Sequence, residues 1–82
     1  MGARRTSVDV NVDILEAALN GANKTRIVYR SNLNFAIVRS YLDNLIKTGL
    51  LSISEDGVYL TTNKGAKFIK DYQNLMKPFN LS

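Results

Sequence analysis

Apolar residues recur along the chain at two periods, and the change from one to the other marks out its elements. Val12, Ile14, Leu15, Ala18 and Leu19 fall at three- and four-residue spacings and predict a first helix, capped by Ser7 or Asp9 and stopped at Asn20-Gly21. Asn23 is a good cap for Lys24 to Arg30, but that segment is only about two turns long by helical pitch and its apolar residues Ile27, Val28 and Tyr29 are consecutive. Periodicity alone leaves it open between helix and strand. The polar cluster Ser31-Asn32-Leu33-Asn34 reads as a turn, with Asn34 capping the next element.

From Phe35 to Thr48 the residues Phe35, Val38, Tyr41, Leu42, Leu45 and Ile46 share one side of a helical wheel, and Gly49 is placed to end the helix in the left-handed conformation. The other side carries Ala36, Arg39, Ser40, Asp43, Asn44 and Lys47, with Ile37 at its edge. Small side chains near its N-terminal end permit close approach to another surface. The period then shortens to two. Leu51-Ser52-Ile53-Ser54, the turn signal Glu55-Asp56-Gly57 and Val58-Tyr59-Leu60-Thr61 predict a hairpin. Thr61 or Thr62 caps a last helix with the stripe Phe68, Ile69, Tyr72, Leu75 and Met76, ended by Pro78. The expected class is mainly α with a small β-hairpin (α+β), in the order α-α-α-β-β-α.

Composition narrows the function. Eighty-two residues hold one core, and the absence of cysteine and histidine removes disulfides, thiol catalysis, a serine–histidine dyad and the usual zinc sites. No apolar run approaches the roughly 18 to 20 residues that cross a bilayer, and no signal peptide pattern opens the chain. A cytoplasmic protein with no membrane partner and no cofactor is the expectation. The formal charge of +4 is uneven: residues 1–23 carry −1, residues 24–47 carry +4 and residues 48–82 carry +1. A basic middle third suits a polyanion.

Three short helices followed by a hairpin are the winged helix-turn-helix arrangement, in which the third helix enters a duplex major groove beside the hairpin wing. The run Lys24-Thr25-Arg26-Ile27-Val28-Tyr29-Arg30-Ser31-Asn32-Leu33-Asn34, then Tyr41-Leu42, Gly49-Leu50-Leu51, Tyr59-Leu60-Thr61-Thr62-Asn63-Lys64-Gly65 and Phe68-Ile69-Lys70-Asp71-Tyr72, resembles the archaeal winged helix-turn-helix DNA-binding proteins, including the small ten-kilodalton crenarchaeal type. The resemblance covers about residues 8 to 76. It implies that Lys24 to Arg30 is helical, and that the protein is a double-stranded DNA binder and transcription regulator. It also implies a homodimer joined through the C-terminal helix (62–77), with Phe68, Tyr72, Leu75 and Phe79 in the seam. Two departures stand out: Pro78 shortens the last helix, and Glu55-Asp56 makes the wing tip acidic.

The expected DNA contacts are Asn34, Ala36, Ile37, Arg39, Ser40 and Asn44 on the third helix. Lys24, Thr25, Arg26, Arg30, Ser31 and Asn32 at the ends of the second would hold phosphates. Arg4 and Arg5 lie in an expected flexible arm (1–7) ahead of the domain (8–77), and 78–82 form a tail. Tyr29, Tyr41, Tyr59 and Tyr72 belong to apolar stripes and are expected in the core or an interface. Asp9, Asp13 and Glu16 read as a solvated helix face, and so do Lys64, Lys67, Lys70 and Lys77, with Lys67 and Asp71 forming an i,i+4 pair. Met1-Gly2 with Thr6 matches a loose myristoylation pattern that carries little weight beside a common second-position glycine. The rival reading is a winged helix that binds another protein through Ile37 and Phe79-Asn80-Leu81, and no nucleophile–base pair or phosphate loop supports an enzyme.

Overall fold

Each helix begins where a side chain takes over a backbone N–H that has no carbonyl partner of its own. In the computed structural model, which describes residues 6–79, Thr6 Oγ1 accepts from Asp9 N at 3.2 Å while Asp9 Oδ2 accepts from Thr6 N at 2.9 Å. This reciprocal pair opens α1 (Ser7–Ala17). Asn23 Oδ1 accepts from Arg26 N at 2.8 Å to open α2 (Lys24–Ser31), and Asn34 Oδ1 accepts from Ile37 N at 2.8 Å to open α3 (Phe35–Lys47). Thr62 Oγ1 accepts from Gly65 N at 3.1 Å ahead of α4 (Asn63–Met76). The first cap is thus Thr6 and not Ser7 or Asp9, because Asp9 lies three residues on and closes the box from inside the helix. Thr6 and Ser7 therefore leave the expected arm, of which residues 1–5 lie outside the described residues.

The observed order is α1, α2, α3, β1 (Leu51–Ile53), β2 (Tyr59–Thr61), α4 and a 3₁₀ turn at Lys77–Phe79. α1 ends sooner than Asn20-Gly21: Gly21, at φ 92°, bonds its N–H to Ala18 O at 3.1 Å and turns the chain toward α2. The ambiguous second segment is helical, anchored by the fully buried Ile27 and ended by Asn32 at φ 59°, a left-handed value that asparagine tolerates. Its consecutive apolar residues do not share a fate. Val28 packs against the core, whereas Tyr29 is 88% exposed, which removes the core from its two expected places, core or interface. Phe35, also expected inside, is 52% exposed, since Leu33 in the turn packs against the core ahead of it. Pro78 ends α4 at Met76 and then continues into the 3₁₀ turn, so Pro78 and Phe79 are structured and not tail.

The core joins Ile14 and Leu15 of α1, Ile27 of α2, Val38, Leu42 and Leu45 of α3, Leu51 and Tyr59 of the hairpin, and Ile69 of α4. The antiparallel hairpin pairs Leu51 with Thr61 and Ile53 with Tyr59, and Gly57 at φ 80° closes its turn with an N–H to Ser54 O at 3.0 Å. A short segment, residues 59–65, ties the helices together. Tyr59 exchanges backbone bonds of 2.9 and 2.7 Å with Ala22, and Thr61 donates through N to Ala18 O at 3.0 Å and through Oγ1 to Leu15 O at 2.6 Å. Next, Thr62 N donates to Leu50 O at 3.1 Å, Thr62 Oγ1 to Gly49 O at 2.7 Å and Lys64 Nζ to Thr48 O at 2.9 Å. Lys64, expected to be merely solvated, caps the C-terminal end of α3, where the helix dipole favours a cation.

Gly65 lies inside this junction because only a hydrogen atom fits there. A Cβ at Gly65 would overlap the Leu50 carbonyl oxygen and lie 2.6 Å from Thr61 Cγ2. Gly65→Ala is expected to cost about 2 kcal/mol, lowering Tm by roughly 8–16 °C in a domain of this size. Thermal unfolding followed by circular dichroism checks it, and an unchanged Tm would show that the junction yields freely.

Candidate nucleic-acid interface

α3 buries Val38, Leu42 and Leu45 and so must turn the opposite side to solvent. Ala36, Ile37, Arg39, Ser40 and Asn44 are all exposed there, as expected from the wheel. Ser40 Oγ donates to Ile37 O at 2.9 Å within the helix, which leaves its lone pairs outward. α2 buries Ile27 and Ser31, and its outer face presents Thr25, Arg26 and Arg30, with Lys24 half-buried. Asn32 and Asn34 are exposed in the connecting turn, each already holding a helix end.

One expected contact is withdrawn. Ser31 is 1% exposed and donates its hydroxyl to Val28 O at 3.3 Å, because it lies one turn after Ile27 on the core side of α2. Lys24, Arg26, Arg30, Arg39 and Lys47 have no ion-pair partner among the described residues, and the ion pair that does form there, Lys67 to Asp71 at 3.0 Å, lies on α4. The positive charge of the middle third is therefore presented to solvent. Glu55 and Asp56, both exposed, keep the hairpin tip acidic.

The fold adds residues that their spacing in the sequence did not single out. A polar groove of about 410 Å³ runs between α1 and α3, lined by Ser7, Asn11, Ser40, Tyr41 and Asn44. At 100° per residue, Ser7 and Asn11 lie on the side of α1 opposite Asp9, Asp13 and Glu16, a signal that the helical wheel already held. The carboxylates turn toward α4. Tyr72 OH donates to Asp9 Oδ1, and Gln73 Nε2 donates to Glu16 Oε2 at 3.3 Å. Asp9 and Glu16 are accordingly structural partners of α4 and not part of a merely solvated face. Among the described residues no cluster of three or more His, Cys, Asp or Glu is placed to hold a metal ion, and no helix is long and apolar enough to cross a membrane.

On the far side, Val8, Phe68, Asp71, Tyr72 and Leu75 line a smaller groove of about 220 Å³. Leu75 and Phe79, two residues of the expected seam, are 70% and 72% exposed among the described residues, while Phe68 packs against the core and Tyr72 is part-buried through its bond to α1. Arg4, Arg5, Asn80 and Leu81 lie outside the described residues.

The family described as winged helix-turn-helix matches residues 4–79. Among solved structures the chain is similar to Sso10a-2, a DNA-binding protein from Sulfolobus solfataricus, with 28% identity, a TM-score of 0.79 and coverage of 89% of this chain and 80% of that one. A search of curated protein sequences returns no match.

The α1–α4 tie predicts a dependence on pH. The hydrogen bond to Asp9, reinforced by desolvation and by the charges of Asp9, Asp13 and Glu16, raises the Tyr72 hydroxyl above its ordinary 10.0. A raised folded-state value means that the tie stabilises the fold fully below about pH 10 and is lost as the pH climbs through the folded-state titration. The stability advantage over Tyr72→Phe is expected to hold constant from about pH 7 to 9 and to shrink above about pH 10. Urea denaturation across that range checks it, and an advantage that persists after the last tyrosine has ionised would contradict the assignment.

Proposed function

The chain belongs to the winged helix-turn-helix family, and on that footing we propose that it binds double-stranded DNA as a homodimer, with α3 in the major groove, and regulates transcription by occupying its site. The observation that carries the reading is the shared exposure of Arg26, Arg30 and Arg39 on the α2–α3 face without acidic partners among the described residues. Arg39 on α3 is of the type that bonds guanine bidentately, and Ile37, 44% exposed, can meet a thymine methyl. Lys24, Thr25, Arg26 and Arg30 hold phosphates and set the register. The similarity to a protein described as DNA-binding supports the same ligand.

The apolar strip of Phe68, Tyr72, Leu75 and Phe79 would join two copies, offering two recognition helices to half-sites about one helical turn apart. The acidic tip at Glu55 and Asp56 keeps the hairpin off the phosphates, so in this protein the hairpin positions α3 and does not grip. Protein binding is the second reading, favoured by Ile53, Val58 and Leu60, which are 46%, 39% and 47% exposed behind that acidic tip.

Fluorescence anisotropy of a labelled mixed-sequence duplex, titrated at several salt concentrations, separates the two. Duplex binding is expected to weaken steeply with salt, and the log–log slope to fall by about one for each of Arg26→Ala and Arg39→Ala. No binding at low salt by a folded protein would contradict the reading and favour the protein-binding module. Sedimentation equilibrium is expected to give twice the mass of one chain, falling to one chain in Leu75→Asp; a monomeric parent protein would remove the dimer.

A further inference from the structure

We propose that α1 forms a second wall of the DNA site, with Ser7 and Asn11 holding, across the groove from Ser40, Tyr41 and Asn44, the phosphodiester strand that borders the major groove entered by α3. The proposal rests on the reading of the chain as a duplex-binding protein.

Position comes first. Ser40 and Asn44 belong both to the outward side of α3 and to the lining of the groove, so a duplex laid against α3 brings one of its strands over the groove mouth. Chemistry agrees with position. All five lining residues are neutral, and each carries a hydroxyl or a carboxamide, side chains that commonly bond phosphate oxygens. The first turn of α1 adds backbone N–H groups that have no carbonyl four residues back in the helix, at its electropositive end.

The carboxylates of α1 are kept out of the way. Asp9 accepts from Thr6 N and from Tyr72 OH, Glu16 accepts from Gln73, and Asp13 and Glu16 both act on the Tyr72 hydroxyl from the same side. The acidic stripe thus faces α4, and the neutral stripe faces α3. Asn11 supplies an independent sign: its Oδ1 is buried without a hydrogen-bond partner. Native structures leave few such groups, and this one lies beside a polar groove. With Oδ1 turned inward and buried, the Nδ2 end of the carboxamide, which carries the donors, is the end left for a phosphodiester oxygen at the groove.

Neutral contacts leave a signature distinct from that of the arginines. A bond from Asn11 or Ser7 to phosphate displaces no counterion, so its loss lowers affinity by the same factor at every salt concentration. The test is duplex anisotropy over a salt series for the parent protein, Asn11→Ala, Ser7→Ala, Arg39→Ala and, as a control on the far side of α1, Gln73→Ala, each with its Tm. Asn11→Ala is expected to bind about tenfold more weakly with an unchanged salt slope. Its Tm is expected to stay level or rise, because an orphaned group has been removed. Ser7→Ala should share the loss in part, and Gln73→Ala should bind as the parent does.

Parent-like binding by both Asn11→Ala and Ser7→Ala, with Arg39→Ala still losing slope, would overturn the second wall and leave duplex binding intact. A fall in Tm with Asn11→Ala alongside parent-like binding by Ser7→Ala would make Asn11 structural and also overturn it. A parent protein that ignores duplex at low salt would remove the proposal together with the reading beneath it.

Discussion

The close approach of Gly65 to the Leu50 carbonyl is the constraint on which the rest of the structure depends. At that point the start of α4 runs against the link between α3 and β1, and Thr62 and Lys64 take up the carbonyls of Thr48, Gly49 and Leu50 that α3 leaves unpaired at its end. Immediately upstream, Thr61 bonds Leu15 O and Ala18 O at the end of α1, and Tyr59 pairs with Ala22 in the link to α2. Seven consecutive residues therefore fix the ends of two helices and the root of the hairpin. They fix where α3 ends, while its buried Val38, Leu42 and Leu45 set which side it turns to solvent.

That junction also separates charge. α1 and α4 face each other through Asp9, Glu16, Tyr72 and Gln73, and Asp9 and Glu16 are spent on hydrogen bonds within the fold. α2 and α3 face solvent with arginines that have no acidic partner among the described residues. The α2–α3 face thus presents cations without acidic partners among the described residues, so that a polyanion meets a defined face. Orientation, more than the modest net charge, gives the proposed interface its selectivity for one side of the molecule.

Much of this was legible in the residues because the signals were local. Asn23, Asn34, Gly49 and Asp56-Gly57 mark helix starts, a helix stop and a turn through short-range bonds, and α3 declared its buried and exposed sides by period alone. What was not legible depended on partners distant in sequence. Nothing near Lys64 reveals that Thr48 O waits 2.9 Å away, nor does anything near Asp9 reveal Tyr72, 63 residues on. Tyr29 and Phe35 stay outside the core because apolar character does not carry direction: α2 is too short to bury more than one stripe, which Ile27 takes, and Leu33 packs ahead of Phe35. Ser31 failed as a contact for the complementary reason, a small polar residue drawn into the core side of the same helix.

Two-dimensional nitrogen–proton spectroscopy of the labelled chain as DNA is added maps the duplex on the protein and tests the proposed DNA face directly. Amide shifts are expected on the outer face of α3, at the start of α2 and at Ser7 to Asn11, with Glu55 to Gly57 undisturbed. Shifts centred on the hairpin tip or on the outer face of α4, with α3 silent, would contradict that expectation.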